Sequence, residues 1–184
     1  MQTIKRVAAC ATEVNRSKFL SFLVPICEFS GFHEKLKTQH PKANHIVYAL
    51  RTLNEYGQTV ENSSDDGEPK GCAGIPVLNV LRGEEMIECA VLIVRYFGGI
   101  KLGTGGMARA YAQAAKDVLA AADIVPYEKQ MIHAFKTSYG DINKTVYRLK
   151  KADICEFERE FLADCVKWKV TGSKEHIDRF LDQT

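Results

Sequence analysis

Cys89-Ala-Val-Leu-Ile-Val-Arg-Tyr-Phe-Gly-Gly-Ile-Lys-Leu-Gly-Thr-Gly-Gly106 decides the fold of the first part of this chain. Residues 89–94 form its longest uninterrupted apolar run, and a strand apolar at every position belongs at the centre of a sheet covered on both faces. Five glycines then lead into an Ala-rich helix read over about 104–122. A glycine-rich passage from a buried strand into a helix can aim successive backbone N–H groups, and the positive helix end, at an anion. Arg95, Lys101 and Arg109 flank it. The anion- or nucleic-acid-binding candidates are therefore Arg95, Lys101, Gly103, Thr104, Gly105, Gly106 and Arg109. A phosphate-binding Gly-Lys-Ser/Thr ending is absent, as is a conventionally placed Gly-x-Gly-x-x-Gly. The same glycines also suit a tight turn and close helix packing.

Upstream lies Ser63-Ser-Asp-Asp-Gly-Glu-Pro-Lys-Gly71, with three carboxylates in four residues. Asp65, Asp66 and Glu68 could serve as acid and base or hold Mg²⁺. Asp-Gly and Glu-Pro are also turn formers whose carboxylates satisfy local N–H groups, and the acidic loop could make salt bridges to the basic one. No metal site and no cofactor are expected. Cys72 lacks a visible histidine partner, and His45, alternating with Val47 and Ala49, reads as a packed, hydrogen-bonded residue.

Around these loops the pattern gives a strand over 17–27, a helix capped by Ser30 and ended by Pro41, a strand over 45–53, a surface loop over 61–70 and a short helix over 75–81. The helix over 104–122 carries an apolar stripe of Ala108, Tyr111, Ala112, Ala115, Leu119 and Ala122. Pro126 ends the Ala-rich segment, dividing the chain into 1–125 and 126–184. Beyond it come a strand over 131–139 and a helix opened by Asp141 or Asn143, with Ile142, Val146 and Leu149 buried. Two alternating strands follow. If they form a hairpin, Glu156, Glu158 and Glu160 share the solvent face with Lys167 and Lys169, and Trp168 enters the core. The order strand, helix, strand, strand, helix matches a ferredoxin-like domain lacking its last strand, which would begin where Thr184 ends the chain. The class is α+β.

Composition narrows the function. Among 184 residues, 25 basic and 23 acidic side chains leave 25 − 23 = +2, too balanced for a protein that grips nucleic acid as a bulk polycation. At 46% apolar residues the chain can bury a core. No run approaches the roughly 18–20 residues of a membrane span, and residues 1–15 lack a secretory pattern. Six cysteines without a Cys-x-x-Cys pair read as reduced thiols. A cytoplasmic protein with no membrane contact is expected.

His45-Ile-Val-Tyr-Ala-Leu-Arg51, Ser64-Asp-Asp-Gly-Glu-Pro69 and Val94-Arg-Tyr-Phe-Gly-Gly-Ile-Lys-Leu-Gly-Thr-Gly-Gly106 together closely resemble the IMPACT/YigZ family, specifically its bacterial YigZ-type members. The resemblance implies a first domain with the fold of ribosomal protein S5 domain 2 and a ferredoxin-like second domain similar to elongation factor G domain V. Eukaryotic members of that family regulate translation by competing for the activator of an initiation-factor kinase. For this chain the resemblance implies a non-enzymatic binding protein that contacts RNA, the ribosome or a translation-associated protein through the Gly-rich loop. Two alternatives stand beside it: a Mg-dependent phosphoryl-transfer or hydrolytic enzyme acting on a small phosphorylated substrate, and a pure protein-interaction module.

Overall fold

A computed structural model describes residues 1–182 as two units, Met1–Tyr127 and a second beginning at Glu128. The first contains β1 (Gln2–Ile4), β2 (Ala8–Val14), β3 (Ser17–Pro25), α1 (Phe29–Gln39), β4 (His45–Leu53), β5 (Thr59–Ser64), α2 (Gly74–Gly83), β6 (Cys89–Tyr96), α3 (Gly103–Ala120) and β7 (Ile124–Pro126). Five of these strands form an antiparallel sheet in the order β2-β3-β6-β4-β5. The short β1 and β7 pair separately.

The apolar run sits at the centre of this sheet, and every residue from Cys89 to Val94 is fully buried. The pleat sends Cys89, Val91 and Ile93 toward α2 and α3, where Val77, Leu81, Tyr111 and Ala115 wait. Ala90, Leu92 and Val94 face the other way, toward Leu36 of α1 and the rings of Phe22 and Tyr48. Burying a Leu or Ile side chain in this way contributes about 1.5–3 kcal/mol. Burial also pushes the Cys89 thiol up to about 12, which leaves it inert as a nucleophile.

Several local expectations need correction. Residues 61–64 belong to β5, because an edge strand needs only its ladder to β4 and can carry polar side chains throughout. Ser30 does not cap α1. A 3-10 turn over Ile26–Glu28 runs directly into the helix, so Ser30 lies within the first turn. β2 escapes the pattern because its inward residues are the small or polar Ala8, Cys10 and Thr12, together with Val14. The buried stripe of α3 is Ala110, Tyr111, Ala114, Ala115, Val118 and Leu119, leaving Ala108 and Ala112 half-covered.

The second unit contains β8 (Gln130–Thr137), α4 (Ile142–Lys151), β9 (Glu156–Phe161), β10 (Val166–Ser173) and α5 (Lys174–Leu181), with its antiparallel sheet in the order β8-β10-β9. The expected hairpin forms. Lys167 pairs with Glu160 at 3.5 Å and Lys169 with Glu158 at 3.6 Å, as the alternation requires. Trp168 is fully buried, stacks on Phe135 and donates from Nε1 to Thr137 Oγ1 at 2.9 Å. Leu149 is buried on the inner face of α4, and Ile142 and Val146 of the same helix, partly buried, pack against that core. The place at Thr184 where a further strand would start lies outside the described residues. The chain is thus a mixed α and β protein with five α-helices among its described residues.

Candidate functional site

The acidic loop is built by its own carboxylates. Asp65, just past β5, accepts from the backbone N–H groups of Gly71 at 2.7 Å, Ala73 at 3.0 Å and Gly74 at 2.8 Å. It thereby serves the N-terminus of α2, where Ala73 has no capping side chain to offer. Burial alone would raise its pKa; the three N–H donors outweigh that and hold the carboxyl below its ordinary value. Asp66 and Gly67 turn the chain with φ of 45° and 85°. Asp66 Oδ2 accepts from the backbone N–H of Ile46 at 2.6 Å, tying the loop to β4. The Asp66 carbonyl accepts from His45 Nδ1 at 2.7 Å, which places the proton on that nitrogen.

Glu68 then dips into the protein and is 7% exposed. Its Oε1 receives Arg95 Nη1 at 2.5 Å and the Tyr111 hydroxyl at 2.7 Å. Its Oε2 faces His45 Nε2 at 3.7 Å. The Arg95 guanidinium, from the end of β6, lies 5.6 Å from the ring centroid of Phe19 and 5.7 Å from that of Phe97. Burial first, and the Glu68 carboxylate second, push the Tyr111 hydroxyl far up, so it remains a neutral donor. The acidic and basic segments are thus joined by a buried, hydrogen-bonded ion pair.

The Gly-rich loop is pinned at its start. Phe97 N–H donates to Asn44 Oδ1 at 2.8 Å and Gly98 N–H to Ser17 Oγ at 3.2 Å. Gly98 is glycine because a Cβ there would stand 2.0 Å from the carbonyl carbon of Arg16. That carbonyl belongs to the two-residue turn Asn15-Arg16, whose φ values of 47° and 64° close the β2–β3 hairpin. From Gly98 the chain crosses to α3, whose N-cap position, Leu102, supplies no side-chain acceptor.

Both loops open onto one cleft of about 420 Å³. Pro69 lines it from the acidic side and Lys101, Gly103 and Thr104 from the other, with His45 and Arg95 between them and Asn44, Phe97, Leu102 and Met107 completing the wall. Arg109 is elsewhere. With Gly106, Asn15 and Gln113 it lines a separate pocket of about 370 Å³, and a Cβ at Gly105 would stand 3.4 Å from its guanidinium. The basic residues expected around one glycine-rich turn therefore divide between two pockets, and Arg95 is buried rather than displayed. Among the described residues, no three His, Cys, Asp or Glu side chains converge as a metal-binding group. Sequence reasoning passed over the role of Tyr111, although its place on the buried stripe of α3 implied that its hydroxyl would need a buried partner.

Comparison with known proteins places this geometry in context. Residues 15–119 match the model of the Impact N-terminal domain. An IMPACT family member of Thermus thermophilus is 33% identical over 156 residues, covering 84% of this chain and 83% of that protein. The IMPACT family member YigZ of Escherichia coli is 37% identical over 102 residues, which is 54% of this chain and 50% of YigZ. The chain spans about half the length of YigZ and of an IMPACT family member of Haemophilus influenzae, which it matches at 37% identity over 110 residues. A crystal structure of a hypothetical protein superposes with a TM-score of 0.72 at 24% identity, covering 99% of this chain and 89% of that one, and so shares the fold. No helix among the described residues is long and apolar enough to cross a membrane.

Proposed function

Because the chain belongs to the IMPACT family, we propose that it is a cytoplasmic binding protein acting in the regulation of translation, contacting RNA, the ribosome or a translation-associated protein through the cleft between its two loops. We read the two units as an S5 domain 2-like domain and a ferredoxin-like domain, divided near residue 125. One observation carries the reading: an exposed Lys101 and the uncapped N-terminus of α3 converge on a cleft whose other cation, Arg95, is already matched by Glu68. The site is consequently local. With one or two phosphates neutralised, log K should fall against log salt with a slope of about −1 to −2.

The engagement of the carboxylates favours binding over phosphoryl transfer. Both Asp65 oxygens and Glu68 Oε1 are already committed to protein donors, which leaves little coordination to offer Mg²⁺. The test is co-sedimentation with purified ribosomes and with total RNA at a series of salt concentrations. Lys101→Glu should abolish the salt-dependent component, whereas identical behaviour of wild type and variant overturns the assignment. Arg95 is unsuited to this test, since its removal leaves Glu68 buried and unpaired.

A further inference from the structure

We propose that the cleft of the first unit is a nucleoside-monophosphate site, holding the phosphate at the N-terminus of α3 beside Lys101 and the base against its apolar wall. This rests on the reading above that the cleft receives an anionic partner. Four observations lead to it. Arg95 lines the cleft, is 4% exposed, and its buried Nε has no protein acceptor among the described residues. The first turn of the 18-residue α3 has no side-chain cap, so its amides at Gly103 and Thr104 remain available to an anion where they line the cleft.

The third observation is size. A space of about 420 Å³ has room for about 14 waters at ~30 Å³ each, far more than a bare phosphate displaces. The fourth is the balance of charge and apolar surface. Arg95 is offset by Glu68, and His45 donates from Nδ1 to the Asp66 carbonyl while its Nε2 faces Glu68, so Lys101 and the helix end supply the net positive charge. That amounts to about one and a half charges, enough to orient a dianion but too little to hold it tightly in water. Affinity must come from the ring-sized body that Phe97, Leu102, Met107 and Pro69 would cover, and Phe97 is 46% exposed at the edge of this space.

Such a group has two sources, a free nucleotide or the 5′-terminal nucleotide of an RNA strand. Isothermal calorimetry on the full chain distinguishes them, using AMP, UMP, adenosine and inorganic phosphate, and RNA pentanucleotides with a 5′-phosphate or a 5′-hydroxyl. AMP or UMP is expected to bind at least tenfold more tightly than phosphate or adenosine alone. Lys101→Glu should weaken that binding at least tenfold with an unchanged melting curve, as befits an exposed side chain. A 5′-phosphorylated pentanucleotide equal to the mononucleotide, with its 5′-hydroxyl counterpart much weaker, supports the RNA end; a pentanucleotide at least tenfold weaker than AMP supports the free nucleotide. The proposal is overturned if mononucleotides bind no better than phosphate, or if Lys101→Glu binds them like wild type. Lys101-dependent ribosome or RNA association without nucleotide binding would sink this inference alone. Nucleotide binding without that association would retain the site and remove its link to translation.

Discussion

Replacing Glu68 strips the acceptor from two buried donors at once, Arg95 Nη1 at 2.5 Å and the Tyr111 hydroxyl at 2.7 Å. Removing one partner of a buried ion pair costs about 3–5 kcal/mol, and an orphaned buried hydroxyl adds about 1–3. Glu68→Leu should therefore cost about 4–8 kcal/mol, comparable with the whole stability of many domains. Glu68→Gln keeps a carbonyl oxygen able to accept both hydrogen bonds but removes the charge opposite Arg95, and should cost about 2–4 kcal/mol; Tyr111→Phe, which leaves the ion pair intact, should cost about 1–2 kcal/mol. Replacing both charges, Glu68→Leu with Arg95→Met, should recover at least 2 kcal/mol relative to the sum of the single changes, because neither charge is then stranded. The assay is urea unfolding followed by far-ultraviolet circular dichroism. Trp168 fluorescence is the wrong probe, since the chain's single tryptophan lies in the second unit. A cost below 1 kcal/mol for Glu68→Leu, or strict additivity in the double variant, refutes the claim that this cluster fastens the acidic loop to the sheet.

Gly98→Ala drives a methyl into the Arg16 carbonyl, displacing backbone rather than a flexible side chain, and should cost about 3 kcal/mol or prevent folding. Gly99→Ala, where φ is +85° but space is open, should cost only about 1–2 kcal/mol, both variants being measured by the same urea unfolding. Asp65 has a depressed carboxyl pKa, so its stabilisation is complete above the unfolded carboxylate value of about 3.9 and is lost as pH falls through the lower folded value. Urea midpoints of wild type should fall across that acid range, Asp65→Asn should flatten the fall, and parallel curves would contradict the geometry. Glu158→Gln and Glu160→Gln should each change stability by less than about 1 kcal/mol, since their ion pairs with Lys169 and Lys167 lie in water. A larger loss of Trp168 fluorescence midpoint would show that the hairpin depends on them.

Periodicity and turn chemistry carried much of the fold. The unbroken run of β6 announced burial on both faces, and the Glu/Lys alternation of β9 and β10 announced their pairing and the inward Trp168. Weakly patterned edge strands did not announce themselves. In β2 and β5 the backbone ladder, which side-chain hydrophobicity does not encode, does the ordering. At the site, the two loops were visible as loops, but the chemistry of each carboxylate depended on distant partners. Arg95 looks exposed beside a glycine-rich loop until Glu68, 27 residues earlier, reaches it. Arg109 looks like a neighbour of Thr104, yet five residues along a helix amount to about 140° of rotation, which turns it toward the other pocket.

Hydrogen exchange of the full chain, free and with saturating purified ribosomes, tests the location of the partner surface most directly. Protection is predicted at Lys101, Leu102, Gly103 and Thr104, with little change along β8, β9 and β10. Protection confined to that second sheet, with the amides at the start of α3 unchanged, would contradict the account.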